Sequence, residues 1–173
     1  MDHCSSNSLS VIAMDVEKSC IAGVLIVRDL LFFPTEFNEK YTSTSKTLTP
    51  LMSFALHLDA EATKKMPELQ EPGKAVDFWM LGVHPDYCGN GIANNLIKVV
   101  VPLTKQAGFK YATIEATNAF TSKAAKKNSF TAIHEEKAAD WLWNGEPLYT
   151  NAKPPHGTWT FWVKDLQACN ELW

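Results

Sequence analysis

The chain has 173 residues, of which 46% are hydrophobic and 20% are charged, a composition that predicts one folded domain spanning residues 1–173 rather than a disordered chain. The net charge of −3 argues against a broad nucleic-acid-binding surface. Since no apolar run reaches the length of about 18 residues that a spanning helix needs, we expect no membrane segment.

The first half of the chain predicts a hairpin, a helix and a strand, in that order. Two apolar segments joined by a polar turn are typical of antiparallel strands. A polar, turn-rich stretch follows, then helical spacing of apolar residues, then a run typical of a buried strand. The predicted elements are strands Ser8–Asp15 and Ser19–Arg28, the turn-rich segment Pro34–Thr47, a helix Leu48–Leu69 and a strand Lys74–Val83.

The second half alternates helices with strands and closes on two strands joined by a long connection. The predicted elements are helix Gly91–Ala107, strand Tyr111–Thr117, helix Asn118–Lys127, strand Phe130–Glu136, the connection Trp141–His156 and strand Thr158–Lys164. A strand–helix–strand unit implies a parallel pair, and the flanking hairpins imply antiparallel neighbours. The fold class is therefore α/β, with a mixed, mostly antiparallel twisted sheet, one splayed parallel strand pair and flanking helices.

The most informative motif is the turn between the strand ending at Val83 and the helix that follows. It reads Cys88-Gly89-Asn90-Gly91-Ile92-Ala93. Amide groups in the first turn of a helix have no partner within the helix, and the helix dipole favours negative charge there. Glycines allow the main chain to approach an anion closely. The turn therefore predicts a pyrophosphate-binding site.

Two common nucleotide signatures are absent from this turn. No Gly-Lys-Ser/Thr follows it, which excludes a Walker A loop, and the dinucleotide pattern of three glycines with a later acidic residue is missing. A pyrophosphate site without a metal clamp suits coenzyme A. A nucleotide-binding module remains an alternative, and it would respond to ATP or NAD but not to coenzyme A.

The order of elements and this turn resemble the GCN5-related N-acetyltransferase superfamily. Its loop motif, Gln/Arg-x-x-Gly-x-Gly/Ala, falls on Cys88 to Ala93, with Cys88 in place of the long polar residue that usually braces the loop. Ser129-Phe130 stands where the superfamily has Gly-Phe. Within the superfamily, the approach Pro154-Pro155-His156 to the last strand is similar to invertebrate arylalkylamine N-acetyltransferases.

The resemblance implies that acetyl-CoA is the co-substrate and that the main chain binds most of it. An asparagine at the start of the later helix often contacts the pantetheine arm, although the same residue type is a common helix N-cap. The expected cofactor-binding residues are Leu81, Gly82, Val83, Cys88, Gly89, Asn90, Gly91, Ile92, Ala93 and Asn118.

The resemblance also implies a general base and, in many members, an acid for the leaving thiolate. Asp77 is the first candidate base, because family members place a catalytic residue at its offset from the loop and burial in an apolar strand would raise its pKa. Glu115 is the second candidate. The usual tyrosine acid is replaced by Ala125, so Ser122, or Thr121, is the candidate acid. A main-chain amide at or near Val83 is expected to stabilise the oxyanion.

The tryptophans are expected to lie mostly in the core. Trp79, Trp159 and Trp162 fall in predicted strands. Trp141 and Trp143 lie in the long connection, where they either pack against the core or an interface or line a flat aromatic acceptor pocket. The four cysteines are scattered without a Cys-x-x-Cys spacing, which favours free thiols, a reducing cytoplasmic compartment and no metal site.

The function expected from these features is acetyl transfer to a small primary amine, an arylalkylamine being one candidate, by direct attack in a ternary complex. The sequence begins at the first hairpin, without the strand and helices that precede it in family members. The alternative is therefore a non-catalytic acyl-CoA-binding protein, or a truncated or domain-swapped form of the enzyme. A homodimer is a possible partner arrangement, and neither nucleic acid nor membrane is expected.

Overall fold

The computed structural model describes residues 9–31 and 48–168 of the chain. Three predicted features lie outside these residues: Ser8, the segment Pro34–Thr47, and the thiols of Cys4 and Cys169. Within these residues, the strands are β1 (Val11–Asp15), β2 (Cys20–Asp29), β3 (Ala75–Val83), β4 (Tyr111–Ala116), β5 (Thr131–Lys137), β6 (Leu142–Trp143), β7 (Glu146–Pro147) and β8 (Thr158–Asp165). The α-helices in the same part of the chain are α1 (Leu48–Lys65), α2 (Ile92–Gln106) and α3 (Ala119–Lys127).

The main sheet has six strands in the order β1-β2-β3-β4-β8-β5. Every neighbouring pair is antiparallel except β3 and β4, which are parallel. Because α2 connects β3 to β4, this parallel pair is the strand–helix–strand unit expected from the sequence. The predicted fold class, a mixed and mostly antiparallel sheet with flanking helices, is confirmed.

Helix α1 is shorter than its apolar spacing predicts. The sequence predicted a helix to Leu69, but α1 ends at Lys65 and a 3₁₀ turn, Pro67–Gln70, follows. Proline lacks an N–H group and its ring clashes with the preceding turn, so an α-helix cannot continue unchanged through Pro67. Leu69 is nevertheless fully buried, which explains why its apolar character matched the helical pattern.

The connection predicted between Trp141 and His156 contains a small hairpin that the sequence analysis missed. Strands β6 and β7 pair across Asn144-Gly145. Both turn residues have positive φ angles, 51° and 85°. Asn-Gly is a strong signal for a two-residue hairpin turn, because both residues adopt this conformation readily. The signal was therefore present in the sequence.

The helices pack on both faces of the sheet. Apolar residues of α2 and α3, including Ile97, Val100 and Ala125, pack with Val76 and Ile114 of the central strands. On the other face, Ala62 of α1 belongs to a cluster with Tyr111 and Phe161. Within the described residues, no helix combines the length and apolar character needed to cross a membrane.

Gly23 allows the start of α2 to approach strand β2 closely. A Cβ atom at this position would lie 2.8 Å from Ile92 Cγ2 and 3.1 Å from the carbonyl oxygen of Gly82. Real Cβ atoms essentially never make contacts as short as the first of these distances. Gly23 therefore fixes where the first turn of α2 lies relative to the end of β3. The sequence analysis did not identify it.

Candidate active site

The two parallel strands separate after three paired positions. Ala75, Val76 and Asp77 of β3 pair with Tyr111, Ala112 and Thr113 of β4. Beyond Asp77, β3 has no register with β4, although it stays paired with β2 as far as Val83. The sheet therefore opens between β3 and β4, as the sequence predicted. Leu81, Gly82 and Val83 lie on the β3 side of this opening.

The glycine turn that follows β3 presents main-chain amides without partners. Gly89 and Gly91 have φ angles of 83° and 75°, a conformation that favours glycine. Gly91 is the N-cap of α2, and the first helical hydrogen bond runs from the Asn95 amide to the Gly91 carbonyl at 3.0 Å. Within the described residues, the amides of positions 89–94 have no hydrogen-bond acceptor. This geometry fits an anion such as pyrophosphate.

A hydrogen-bonded tyrosine anchors the start of this turn. The Tyr87 hydroxyl donates to Asp15 Oδ2 at 2.6 Å and contacts Cys20 Sγ at 3.2 Å. The hydrogen bond from Tyr87 lowers the pKa of Asp15. Cys88, which replaces the usual bracing residue, is exposed, and its thiol contacts the His84 carbonyl at 3.7 Å. Tyr87 thus ties the turn to the β1–β2 hairpin, a role that the sequence analysis missed.

A cavity of about 230 Å³ lies between α1 and the opened sheet. It contains residues from the strands on both sides of the opening, notably Trp79 and Met80 of β3 and Glu115 and Thr117 at the end of β4. The remaining lining residues are Arg28, Leu30, Leu51, Met52, Ala55, Leu56, Asp59 and Asp77. Both candidate bases therefore line one cavity, as a single site requires.

Asp77 is held by Arg28 in a buried ion pair. Arg28 Nε donates to Asp77 Oδ2 at 2.9 Å, Arg28 Nη2 lies 2.9 Å from the same oxygen, and the Thr113 hydroxyl lies 3.4 Å from Oδ1. Asp77 is only 2% exposed. Burial raises the pKa of the Asp77 carboxyl, while Arg28 acts in the opposite direction. The guanidinium also lies 5.0 Å from the centre of the Trp79 ring.

Two other carboxyl groups of the cavity lack such a partner. Among the described residues, Glu115 makes no side-chain hydrogen bond or ion pair, and Asp59 Oδ1 is buried without a hydrogen-bond partner. Burial, with further contributions from the neighbouring carboxylates, raises the pKa of Glu115 well above its usual value. Burial and the charge of Asp77 raise the pKa of Asp59 to about 6. The sequence analysis did not identify Asp59.

The first turn of α3 contains the other two predicted site residues. Asn118 is the N-cap of α3, and its Oδ1 accepts from the Thr121 amide at 2.9 Å. Its side-chain N–H groups have no acceptor among the described residues. Ser122 Oγ accepts from the Trp162 indole at 3.4 Å, which leaves the serine proton available for donation. Neither side chain lines the cavity, so the structure does not bring Ser122 next to Asp77.

The distribution of the tryptophans between the core and the cavity differs from the expectation. Trp159 and Trp162 are buried in the core, but Trp79 lines the cavity, so its assignment to the core was wrong. Trp141 stacks on Phe54 with ring centres 4.9 Å apart, and Trp143 stacks on Trp141. Neither Trp141 nor Trp143 lines the cavity. Trp141 therefore packs against the core, and Trp143 packs on Trp141.

Comparison with known proteins identifies the fold. No protein-family model matches the sequence, and no curated protein matches it. Arylalkylamine N-acetyltransferase 2 from Aedes aegypti matches in structure at 21% identity and a TM-score of 0.76, over 92% of this chain and 74% of that chain. The C-terminal condensation domain of Ebony, solved with beta-alanyl-dopamine, matches at 12% identity and 0.76, over 94% and 74%.

A Salmonella typhimurium protein, yncA, solved with its cofactor acetyl-CoA, also matches in structure, at 12% identity and a TM-score of 0.53, over 91% of this chain and 64% of that chain. The chain therefore has the fold of the GCN5-related N-acetyltransferases, as the sequence resemblance implied.

Proposed function

We propose that the chain is an N-acetyltransferase that transfers the acetyl group of acetyl-CoA to a small primary amine within a ternary complex. One observation carries the proposal. The opening between β3 and β4 has partner-free amides at the turn beyond β3 and a carboxyl-lined cavity beside the last paired residues. The names of structural neighbours, arylalkylamine N-acetyltransferase 2 among them, and the acetyl-CoA bound to another neighbour support the same activity.

The glycine turn fits the pyrophosphate of acetyl-CoA. The amides of residues 89–94 would donate to it, and Leu81, Gly82 and Val83 would pair with the pantetheine arm as an added strand. The free N–H groups of Asn118 would contact the same arm. When bound, acetyl-CoA supplies a thioester whose carbonyl carbon bonds to the amine nitrogen as the carbon–sulfur bond breaks, giving an N-acetylamine and coenzyme A.

The acceptor must lose a proton before it can attack. An alkylamine with a pKa of about 10.4 is neutral in about one molecule per 2,500 at pH 7, a deficit of about 4.6 kcal/mol. Glu115 is the better placed of the two candidate bases, because it lines the cavity without a partner among the described residues, whereas Arg28 already occupies Asp77 Oδ2. In its ionised form, Glu115 accepts a proton from the bound ammonium group.

The reaction also needs a proton donor for the leaving thiolate and a hydrogen-bond donor for the oxyanion. Ser122 remains the candidate donor to the thiolate, since its hydroxyl proton is not used by the bond from Trp162. The amide of Val83, or that of a neighbour on β3, is the candidate donor to the oxyanion. A thiol with a pKa of about 8.5 leaves without much assistance, so the loss of Ser122 should reduce the rate only modestly.

The decisive experiment separates binding from turnover. Titration calorimetry with acetyl-CoA should give saturable binding, and ATP and NAD should give none. A thiol-release assay with short alkylamines, diamines, amino acids and the arylalkylamine tryptamine should then give turnover with at least one amine. Binding without turnover on the whole panel would favour the non-catalytic acyl-CoA-binding alternative. Absence of acetyl-CoA binding would refute the proposal.

A further inference from the structure

The cavity beside the opened sheet contains more negative than positive groups. Asp59, Asp77 and Glu115 face it, with Arg28 as the single basic residue among its lining side chains. The ion pair with Arg28 compensates the charge of Asp77. Two carboxyl groups, those of Asp59 and Glu115, are then left without a cationic neighbour in contact among the described residues. A ligand that carries two positive charges would compensate both of these carboxyl groups.

Asp59 is the less easily explained of the two. It lies on α1, and its Oδ1 atom is buried without a hydrogen-bond donor. Burying a carboxyl oxygen without a partner destabilises a fold, so such an atom is commonly satisfied by a ligand or by water. Because Asp59 lines the cavity, a cation bound there lies next to this carboxyl group.

The size and the walls of the cavity restrict the kind of cation that can bind there. Its volume of about 230 Å³ lies below the range of about 300–1,000 Å³ typical of sites for drug-sized molecules. Leu51, Met52 and Leu56 of α1 provide an apolar wall that suits a chain of methylene groups. Within the described residues, no three potential ligands are placed to hold one metal ion. A small organic cation therefore fits better than a metal.

We propose that the acceptor is a short alkanediamine, with one nitrogen beside Glu115 at the opening of the sheet and the second, unreacted ammonium group bound by Asp59. This inference rests on the proposed function for its choice of reacting nitrogen. Asp59 then determines specificity without taking part in the chemistry. Only the nitrogen beside Glu115 loses a proton and gains the acetyl group, and the distal ammonium leaves unchanged with the monoacetylated product.

The test compares putrescine with n-pentylamine, which has the same number of heavy atoms but one charge. Binding of each amine is measured by calorimetry in the presence of coenzyme A, and acetylation is measured as kcat/KM. The variants are Asp59→Asn and, as a matched control, Asp140→Asn, which changes an exposed aspartate in a 3₁₀ turn. Thermal melting of each variant checks that it is folded.

The wild-type protein should prefer putrescine by about tenfold or more, the scale expected for a partly buried charge pair. Asp59→Asn should reduce the preference, taken as the ratio of the two amines within one variant, to about twofold, while Asp140→Asn should leave this ratio unchanged. Equal binding of the two amines, no amine binding, or a preference that survives Asp59→Asn would overturn the inference. Turnover of n-pentylamine in those cases would leave the proposed function standing. Asp59-dependent binding without any turnover would refute the proposed function and leave only the diamine-binding role of Asp59 standing.

Discussion

Asp77 Oδ2 accepts a hydrogen bond from Arg28 Nε at 2.9 Å and lies 2.9 Å from Arg28 Nη2, at the last position where β3 and β4 are paired. Both residues are buried. A buried ion pair compensates the cost of removing two charges from water only while both partners are present. The pair therefore fixes the base of the opening in the sheet. Its removal should mainly reduce the stability of the fold rather than act directly on the reaction.

Asp77→Asn should destabilise the fold, because the buried guanidinium of Arg28 loses its carboxylate. We expect a loss of about 3 kcal/mol in the free energy of unfolding, measured by urea denaturation. The double variant Asp77→Leu with Arg28→Met should recover much of that loss, since it removes both charges together. A single variant as stable as the wild type would show that the pair is not structurally important.

Glu115→Gln should remove activity without unfolding the protein. We expect kcat/KM to fall by about 10²–10⁴, the usual contribution of a general base. Because burial raises the pKa of Glu115, against the opposing charge of Arg28 and with Asp59 and Asp77 nearby, the wild-type rate should rise with pH as this group ionises. In Glu115→Gln, the rate should no longer rise with pH in this way.

The exposed residue Glu135 on β5 provides the matched control for this change. Glu135→Gln should retain both the rate and its pH profile. If Glu115→Gln keeps the wild-type profile while Asp77→Asn abolishes it, Asp77 is the base and our choice between the two carboxylates is wrong.

Asp59→Asn should stabilise the ligand-free protein, and more so as pH rises. The pKa of Asp59 is raised from 3.8 to about 6, so the folded state holds this proton more tightly than the unfolded state. Stability is therefore lost as pH rises from about 4 to above 6, by at most about 3 kcal/mol and by about 1–2 kcal/mol after solvent screening.

Thermal melting of the wild type and Asp59→Asn from pH 4 to pH 8 measures this difference. The melting temperature of Asp59→Asn relative to the wild type should increase across this pH range, whereas that of Asp140→Asn should not. A melting difference that is constant with pH would mean that Asp59 does not titrate as the geometry implies.

Gly91→Ala should weaken acetyl-CoA binding through the main chain. The φ angle of Gly91 is 75°, and an L-residue in this region costs about 1–2 kcal/mol. The turn would relax and misalign its amides, and we expect about a tenfold loss of affinity by calorimetry. Gly73→Ala imposes the same cost at φ 72° before the opposite end of β3. It should reduce stability but leave affinity unchanged.

Tyr87→Phe should loosen the same turn from the β1–β2 hairpin. The hydroxyl that donates to Asp15 at 2.6 Å is lost, so the pKa of Asp15 should rise towards its ordinary value. Nuclear magnetic resonance titration of the Asp15 carboxyl measures this change, and calorimetry should record weaker acetyl-CoA binding. An unchanged Asp15 titration would contradict the anchoring role.

Much of the fold was predictable because its signals are local. Alternating apolar residues predicted the strands of the sheet, and the turn from Cys88 to Ala93 carried its own glycines. The errors were also local. The predicted end of α1 did not take Pro67 into account, and the Asn144-Gly145 hairpin was missed although its signal was present. The binding turn was predictable because its chemistry depends on the main chain, which a short sequence pattern can specify.

The acidic cavity was not predictable in the same way. Asp59 and Glu115 are separated by more than 50 residues, and Asp77 meets Arg28 only through the pairing of β2 with β3. The sequence alone determined the elements, their order and the anion-binding turn, because these follow from neighbouring residues. Only the tertiary structure decided which carboxyl groups are paired and which are left facing the cavity, because burial and partner choice depend on residues that folding brings together.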